Sequence, residues 1–196
     1  MRASVRMAVR EHSRSDTDGA DLIGLVCVRP ARSGGLSRIV SSVRVFESLR
    51  AAYPELAREL MTPWPFRLPG APDGVPRHFE LPIARWDGRH LSSFFIGWYI
   101  RRAQELPDVG PLSARRLEAL ARYEALANDP ALYLDMDFRP GDIQWLKSSV
   151  ILHKRTAYED SPEPASKRHL MRLWIAARDF EDGDDLLRDG MSLIRS

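Results

Sequence analysis

The sequence predicts an α+β chain that is mostly β, and within that class a jelly roll with helical insertions. Three observations carry the prediction. Strand-like apolar runs stand near both ends of the 196 residues, helical spacing is confined to the middle, and the last third returns to period-two alternation. A four-helix bundle would leave the late strands unexplained.

Residues 22–28, "LIGLVCV", and 36–41 read as two strands, and "RPARSGG" between them supplies a turn through Pro30, Gly34 and Gly35. Residues 42–61 then space Phe46, Leu49, Leu56 and Leu60 as a helical face, with Pro54 suited to the first turn of a second short helix. The proline- and glycine-rich "TPWPFRLPGAPDGVP" reads as a connector. It leads to "HFELPIA" and "RHLSSFF", joined through Asp87-Gly88 as a hairpin. "GWYIRRAQEL" and "SARRLEALARYEALAND" are helical, the second capped by Ser113 and stopped near Asn128 to Pro130. In "RPGDIQWLKSSVILH" a Pro-Gly turn opens one continuous strand whose alternation puts Ile143, Trp145, Lys147, Ser149, Ile151 and His153 on one face. The last strand, "KRHLMRLWIA", puts Arg168, Leu170, Arg172 and Trp174 on one side and His169, Met171, Leu173 and Ile175 on the other.

Composition excludes several classes. A hydrophobic fraction of 44% with 29% charged residues is that of an ordinary folded protein. The net charge of only +2 argues against a dedicated nucleic-acid binder. The single cysteine, Cys27, cannot form an internal disulfide, reads as a small core residue, and fits a reducing, cytoplasmic setting. The longest apolar run, those seven residues at 22–28, falls far short of the ~20 that a membrane-spanning helix needs. Arg2, Arg6, Arg10 and Arg14 give the first residues a composition shared with transit peptides, although a frayed terminus accounts for it more simply.

The chemistry concentrates in the two late strands. One ends in His153, and the other carries Arg168 and Arg172 on one face, ~13 Å apart along the strand with Leu170 between them. If that face is exposed, both arginines can pair with Glu159, Asp160 or Glu163 of the preceding loop, and His153 is an ordinary hydrogen-bonded histidine. If it faces inward, each guanidinium needs an anion, since an unpaired buried charge costs several kcal/mol. A carboxylate matches the planar fork of arginine bidentately.

"PGDIQWLKSSVILHKRTAYED" and "KRHLMRLWIA", together with "DTDGADLIGLVCVRPARSGGLSRIVSS" near the other end, resemble the taurine dioxygenase-like (TauD/TfdA) family of Fe(II)- and 2-oxoglutarate-dependent oxygenases. The resemblance implies a double-stranded β-helix, which is a jelly roll, and Fe(II) and 2-oxoglutarate as cofactor and cosubstrate. It implies O2 and a small, acidic organic molecule as the other reactants. The distal iron-binding histidine corresponds to His153 and the aspartate to Asp18. Arg168, helped by the hydroxyl of Ser37, corresponds to the group that holds the far carboxylate of 2-oxoglutarate. Arg172 matches a second arginine that faces an acidic substrate or the cosubstrate.

The resemblance also divides the chain into a short basic remnant at 1–15, the oxygenase domain at 16–177 and an acidic tail at 178–196. Two departures stand out. Asp16 occupies the position of the first iron-binding histidine, which adds negative charge and a hard oxygen donor suited to Mg²⁺, Ca²⁺ or Mn²⁺. Lys147 and Ser148 stand where the family tends to have asparagines. The stretch before Asp16 is short, so the jelly roll is expected to be incomplete at its N-terminus, with open edges that favour a homo-oligomer. An alternative reading follows, of a non-catalytic, shortened family member that serves as a carboxylate-binding or interaction scaffold.

Overall fold

A computed structural model of the chain describes residues 15–17, 20–68, 70 and 76–175. The basic remnant up to residue 14, the acidic tail and Asp18 lie outside the described residues.

In chain order the elements begin with β1 (Leu22–Arg29), β2 (Ser33–Gly34), β3 (Ser37–Ser41), α1 (Ser42–Ala52) and α2 (Pro54–Leu60). The middle holds β4 (Pro63–Arg67), β5 (His78–Pro82), β6 (Ala84–Trp86), β7 (Leu91–Ser93), α3 (Gly97–Ala103) and α4 (Ala114–Ala127). Last come β8 (Tyr133–Met136), β9 (Ile143–Lys147), β10 (Ile151–Arg155), β11 (Tyr158–Glu159) and β12 (His169–Ile175).

Two antiparallel three-stranded sheets form the frame, in the orders β12-β1-β9 and β10-β3-β8. Early strands occupy the centre of each sheet and late strands flank them. Residues distant in sequence therefore share an inner face. Ile23, Leu25 and Leu146 of the first sheet are buried, with Ile39 and Ile151 of the second and Phe138 packed on them. This inter-sheet core is small. The larger core lies on the other side of the second sheet, where Val40 and Leu152 meet α1 to α4 and the fully buried Trp64, Phe66, Phe94 and Tyr123. Each such large side chain contributes roughly 1.5–3 kcal/mol.

The helices begin as the sequence predicts. Ser41 Oγ accepts the Arg44 amide at the head of α1, Pro54 opens α2, and Ser113 Oγ accepts the Arg116 amide at the head of α4.

Three strand expectations need correction. The run 143–153 is not one strand but two, β9 and β10, in opposite sheets. The chain turns at 148–150, where the Ser148 amide bonds to Asp21 O and Val150 O accepts the Ser42 amide, so the chain changes sheets at a corner. Ile143, Trp145 and Lys147 consequently face outward, whereas Ile151 and His153 face the interior. The Asp87-Gly88 turn is present, with Asp87 Oδ1 accepting the Arg89 and His90 amides, but it joins β6 to β7, while β5 pairs with β4. β4 itself lies in the supposed connector. Its Pro63 and Pro65 are tolerated because it belongs to a two-stranded ladder, leaving an edge that needs no donor.

Candidate functional site

A cavity of about 290 Å³ opens between the inner faces of the two sheets, lined by Asp16, Ser37, His153, Arg155, Arg168 and Arg172 among others. Ligand pockets run from roughly 300 to 1,000 Å³, so this one suits a small molecule. The structure thus brings together five of the residues the sequence singled out; the sixth, Asp18, lies outside the described residues.

β10 and β3 pair with His153 opposite Ile39 and Arg155 opposite Ser37, and these positions share the inner face. The other edge of β10 is met by Asp16, whose amide bonds to His153 O at 3.1 Å while the His153 amide bonds to Asp16 O at 2.9 Å. Thr17 anchors the same segment through its amide and hydroxyl, both bonded to Phe95. One carboxylate oxygen of Asp16 accepts the Gly97 amide at 3.0 Å, at the head of α3.

Arg168 immediately precedes β12 and is half-buried. Its amide, not its guanidinium, bonds to Asp160 Oδ1, at 2.6 Å. The guanidinium lies 5.6 Å from the centre of the Tyr158 ring and reaches Gly35 O at 3.4 Å. Among the described residues no carboxylate forms an ion pair with it, so the surface pairing through Glu159, Asp160 or Glu163 is absent for this side chain. Burial, and then the nearby Arg155, hold its pKa below the ordinary arginine value. Arg172 is exposed on the same side of β12, opposite Leu25 of β1. Cys27 is buried beneath the site, and burial pushes its thiol pKa up, which suits the expected core role.

Ser37 is 4% exposed, and its hydroxyl donates to Gln144 Oε1 at 2.8 Å, bridging the two sheets. That hydroxyl proton is committed within the protein. Gln144 has no signal in local pattern, because its partner is 107 residues away. Arg155 did have one, since period two carries the inner face from His153 to the residue two further on.

The donor set fits a dicarboxylate: an arginine with no carboxylate partner among the described residues, other arginines and a histidine line a cavity of suitable size. For iron, the described residues hold only part of the expected ligand set, since Asp18 lies outside them. Among the described residues no three His, Cys, Asp or Glu side chains gather as a metal site, and Asp16 already has one oxygen on a backbone amide.

Residues 11–174 match the family described as "Taurine catabolism dioxygenase TauD, TfdA family". The chain belongs to the TauD/TfdA family. One relative, the FR-33289 synthase of Streptomyces rubellomurinus, is 29% identical over 168 residues, covering 81% of this chain and 48% of that protein. A uridine-5'-phosphate dioxygenase of a Streptomyces species is 28% identical over 145 residues, covering 71% of this chain and 50% of its own. The chain therefore spans about half the length of these relatives. Among solved structures, the non-heme iron oxygenase OrfP in complex with Fe and alpha-ketoglutaric acid superposes with a TM-score of 0.60 at 12% identity, over 86% of this chain and 50% of that one. The likeness establishes the jelly roll expected from the strand pattern.

Proposed function

We propose that this TauD/TfdA-family chain is a 2-oxoglutarate-binding domain of an Fe(II)-dependent oxygenase that hydroxylates a small, acidic organic molecule. The observation that carries the reading is the convergence of His153, Asp16, Arg168 and Arg172 on one cavity between the sheets. Arg168 holds the far carboxylate of 2-oxoglutarate in a partly desolvated site, where a charge-assisted, bidentate contact is strongest. Arg172, at the open side of the cavity, meets the acidic group of the substrate or the keto-acid end of the cosubstrate. His153 and Asp18 are the proposed metal ligands, with Asp16 at the third position. The chemistry supplied by Fe(II) in this family is O2 activation coupled to decarboxylation of 2-oxoglutarate to succinate. A relative named for uridine-5'-phosphate supports an anionic substrate.

A specific observation favours a second reading, in which the chain binds a dicarboxylate without turnover. The Asp16 carboxylate caps α3 through Gly97, which competes with metal ligation. Anaerobic addition of Fe(II) and 2-oxoglutarate, followed by O2 and a succinate assay, separates the two. The oxygenase reading expects Fe(II)-dependent succinate even without the prime substrate. Succinate absent from the wild type but present in Asp16→His assigns the defect to the ligand set. Absence from both, with 2-oxoglutarate still bound, supports the scaffold.

A further inference from the structure

We propose that Arg155 is the second arginine of a carboxylate clamp, sharing the far carboxylate of 2-oxoglutarate with Arg168 in place of the Ser37 hydroxyl. The inference rests on the 2-oxoglutarate reading above and adds a residue and a mode of recognition to it.

Three observations lead there. First, Arg155 pairs directly with Ser37 across β10 and β3, and both line the cavity, so the guanidinium occupies the neighbourhood assigned to the hydroxyl. Second, the Ser37 hydroxyl already donates to Gln144 in a buried bond between the sheets. Turning it toward a ligand would leave the buried Gln144 oxygen without that donor, at a cost in stability. Third, Arg155 and Arg168 are held by the same buried ring, their guanidinium carbons 4.4 and 5.6 Å from the centre of Tyr158.

Two like charges on one ring in a half-buried cavity repel; burial first, and Arg155 second, hold the Arg168 pKa below its ordinary value. An anion between them reverses the sign of the interaction. A carboxylate has two oxygens and about four lone-pair directions, enough for one fork from each arginine. Tyr158 lies against both guanidinium groups before any ligand binds, which lowers the ordering cost of binding. Its own position is set by β11 pairing with β2, where Tyr158 stands opposite Gly34. Gly35 leaves the space: a Cβ there would come within 3.2 Å of both Arg168 Nε and Tyr158 Cβ.

The clamp reads a second carboxylate, so it discriminates dicarboxylate from monocarboxylate keto acids. The test titrates the full chain anaerobically with 2-oxoglutarate and with 2-oxobutyrate, which keeps the keto-acid end and lacks the far carboxylate, with and without Fe(II). Arg155→Met is expected to weaken 2-oxoglutarate binding at least tenfold while changing 2-oxobutyrate binding less than twofold. Arg155→Lys, which keeps the charge and protects against loss of fold, is expected to recover part of the affinity, and Ser37→Ala to cost less than Arg155→Met. Arg155 substitutions that bind 2-oxoglutarate like the wild type, while Arg168→Met does not bind it, overturn the clamp and leave the cosubstrate reading standing. If the wild type binds no 2-oxoglutarate, or Arg168→Met binds it unchanged, the underlying reading fails and the clamp with it.

Discussion

Asp16 shows how one side chain can serve packing and chemistry at once. Its Oδ1 satisfies the Gly97 amide at the first turn of α3, a task that asparagine can also perform. Asp16→Asn is therefore expected to keep stability within about 0.5 kcal/mol, and Asp16→Ala to lose about 1 kcal/mol, in urea unfolding. Equal losses would remove the capping role. On the outer face of the second sheet, Arg38 makes a bidentate pair with Asp135 at 2.7 Å and lies 3.4 Å from the centre of the Tyr133 ring. The hydrogen bond from Arg38 holds the Asp135 carboxyl below the usual carboxylate range, against the opposing effect of burial. The pair's stabilisation, about 1 kcal/mol for a well-formed and partly buried bridge, is thus complete above the unfolded value of ~4 and is lost as pH falls through the lower folded value. Urea unfolding of the wild type and Asp135→Asn should differ by that amount at pH 7, with the difference vanishing in strong acid; a difference that persists there would assign it to packing.

The segment from β1 to β3 is an element whose backbone is set by two glycines. Gly34 and Gly35 have φ of +67° and +74°, the left-handed region that side chains disfavour. A Cβ on Gly34 would stand 2.3 Å from the Ala157 carbonyl oxygen, which belongs to backbone and cannot swing aside. Gly34→Ala is expected to cost about 1–3 kcal/mol and to separate β2 from β11. Loss of hydrogen-exchange protection around Tyr158 checks this; unchanged protection with unchanged stability would show that the turn tolerates a side chain. Because β11 carries the ring that holds Arg155 and Arg168, this local change reaches the proposed ligand site.

Across the whole molecule, the sheet β12-β1-β9 carries apolar side chains on its outer face as well as in the inter-sheet core. Its outer face exposes Ile143, Trp145, Met171 and Leu173 at 56%, 53%, 49% and 47%, which is unusual for a surface left to water. Trp145 lies over Gly24, its cross-strand partner, where a Cβ would come within 2.6 Å of the indole. The homo-oligomer expected from open sheet edges would cover such a face. Light scattering over a hundredfold concentration range tests it. A rising mass that Leu173→Lys abolishes, with stability changed by no more than about 0.5 kcal/mol, supports a second copy. The mass of one chain at every concentration excludes it.

Much of the fold is legible locally. Periodicity and caps locate β1, β3 and the helices because those signals involve residues within one or two turns or strand pitches of each other. The side-chain chemistry of His153, Arg168 and Arg172 is likewise a property of the chain itself, and marks where an anion could bind. Tertiary structure alone decides that β9 and β10 part company at 148–150, that the proline-bearing 63–67 finds a partner strand, and that β8 completes the second sheet. It also commits the Ser37 hydroxyl to Gln144 and the Asp16 carboxylate to Gly97, and seats Arg155 beside Arg168. Alternation tells a strand which of its side chains share a face, but the other side of that face is supplied by residues a hundred positions away, through the closure of two sheets on one another.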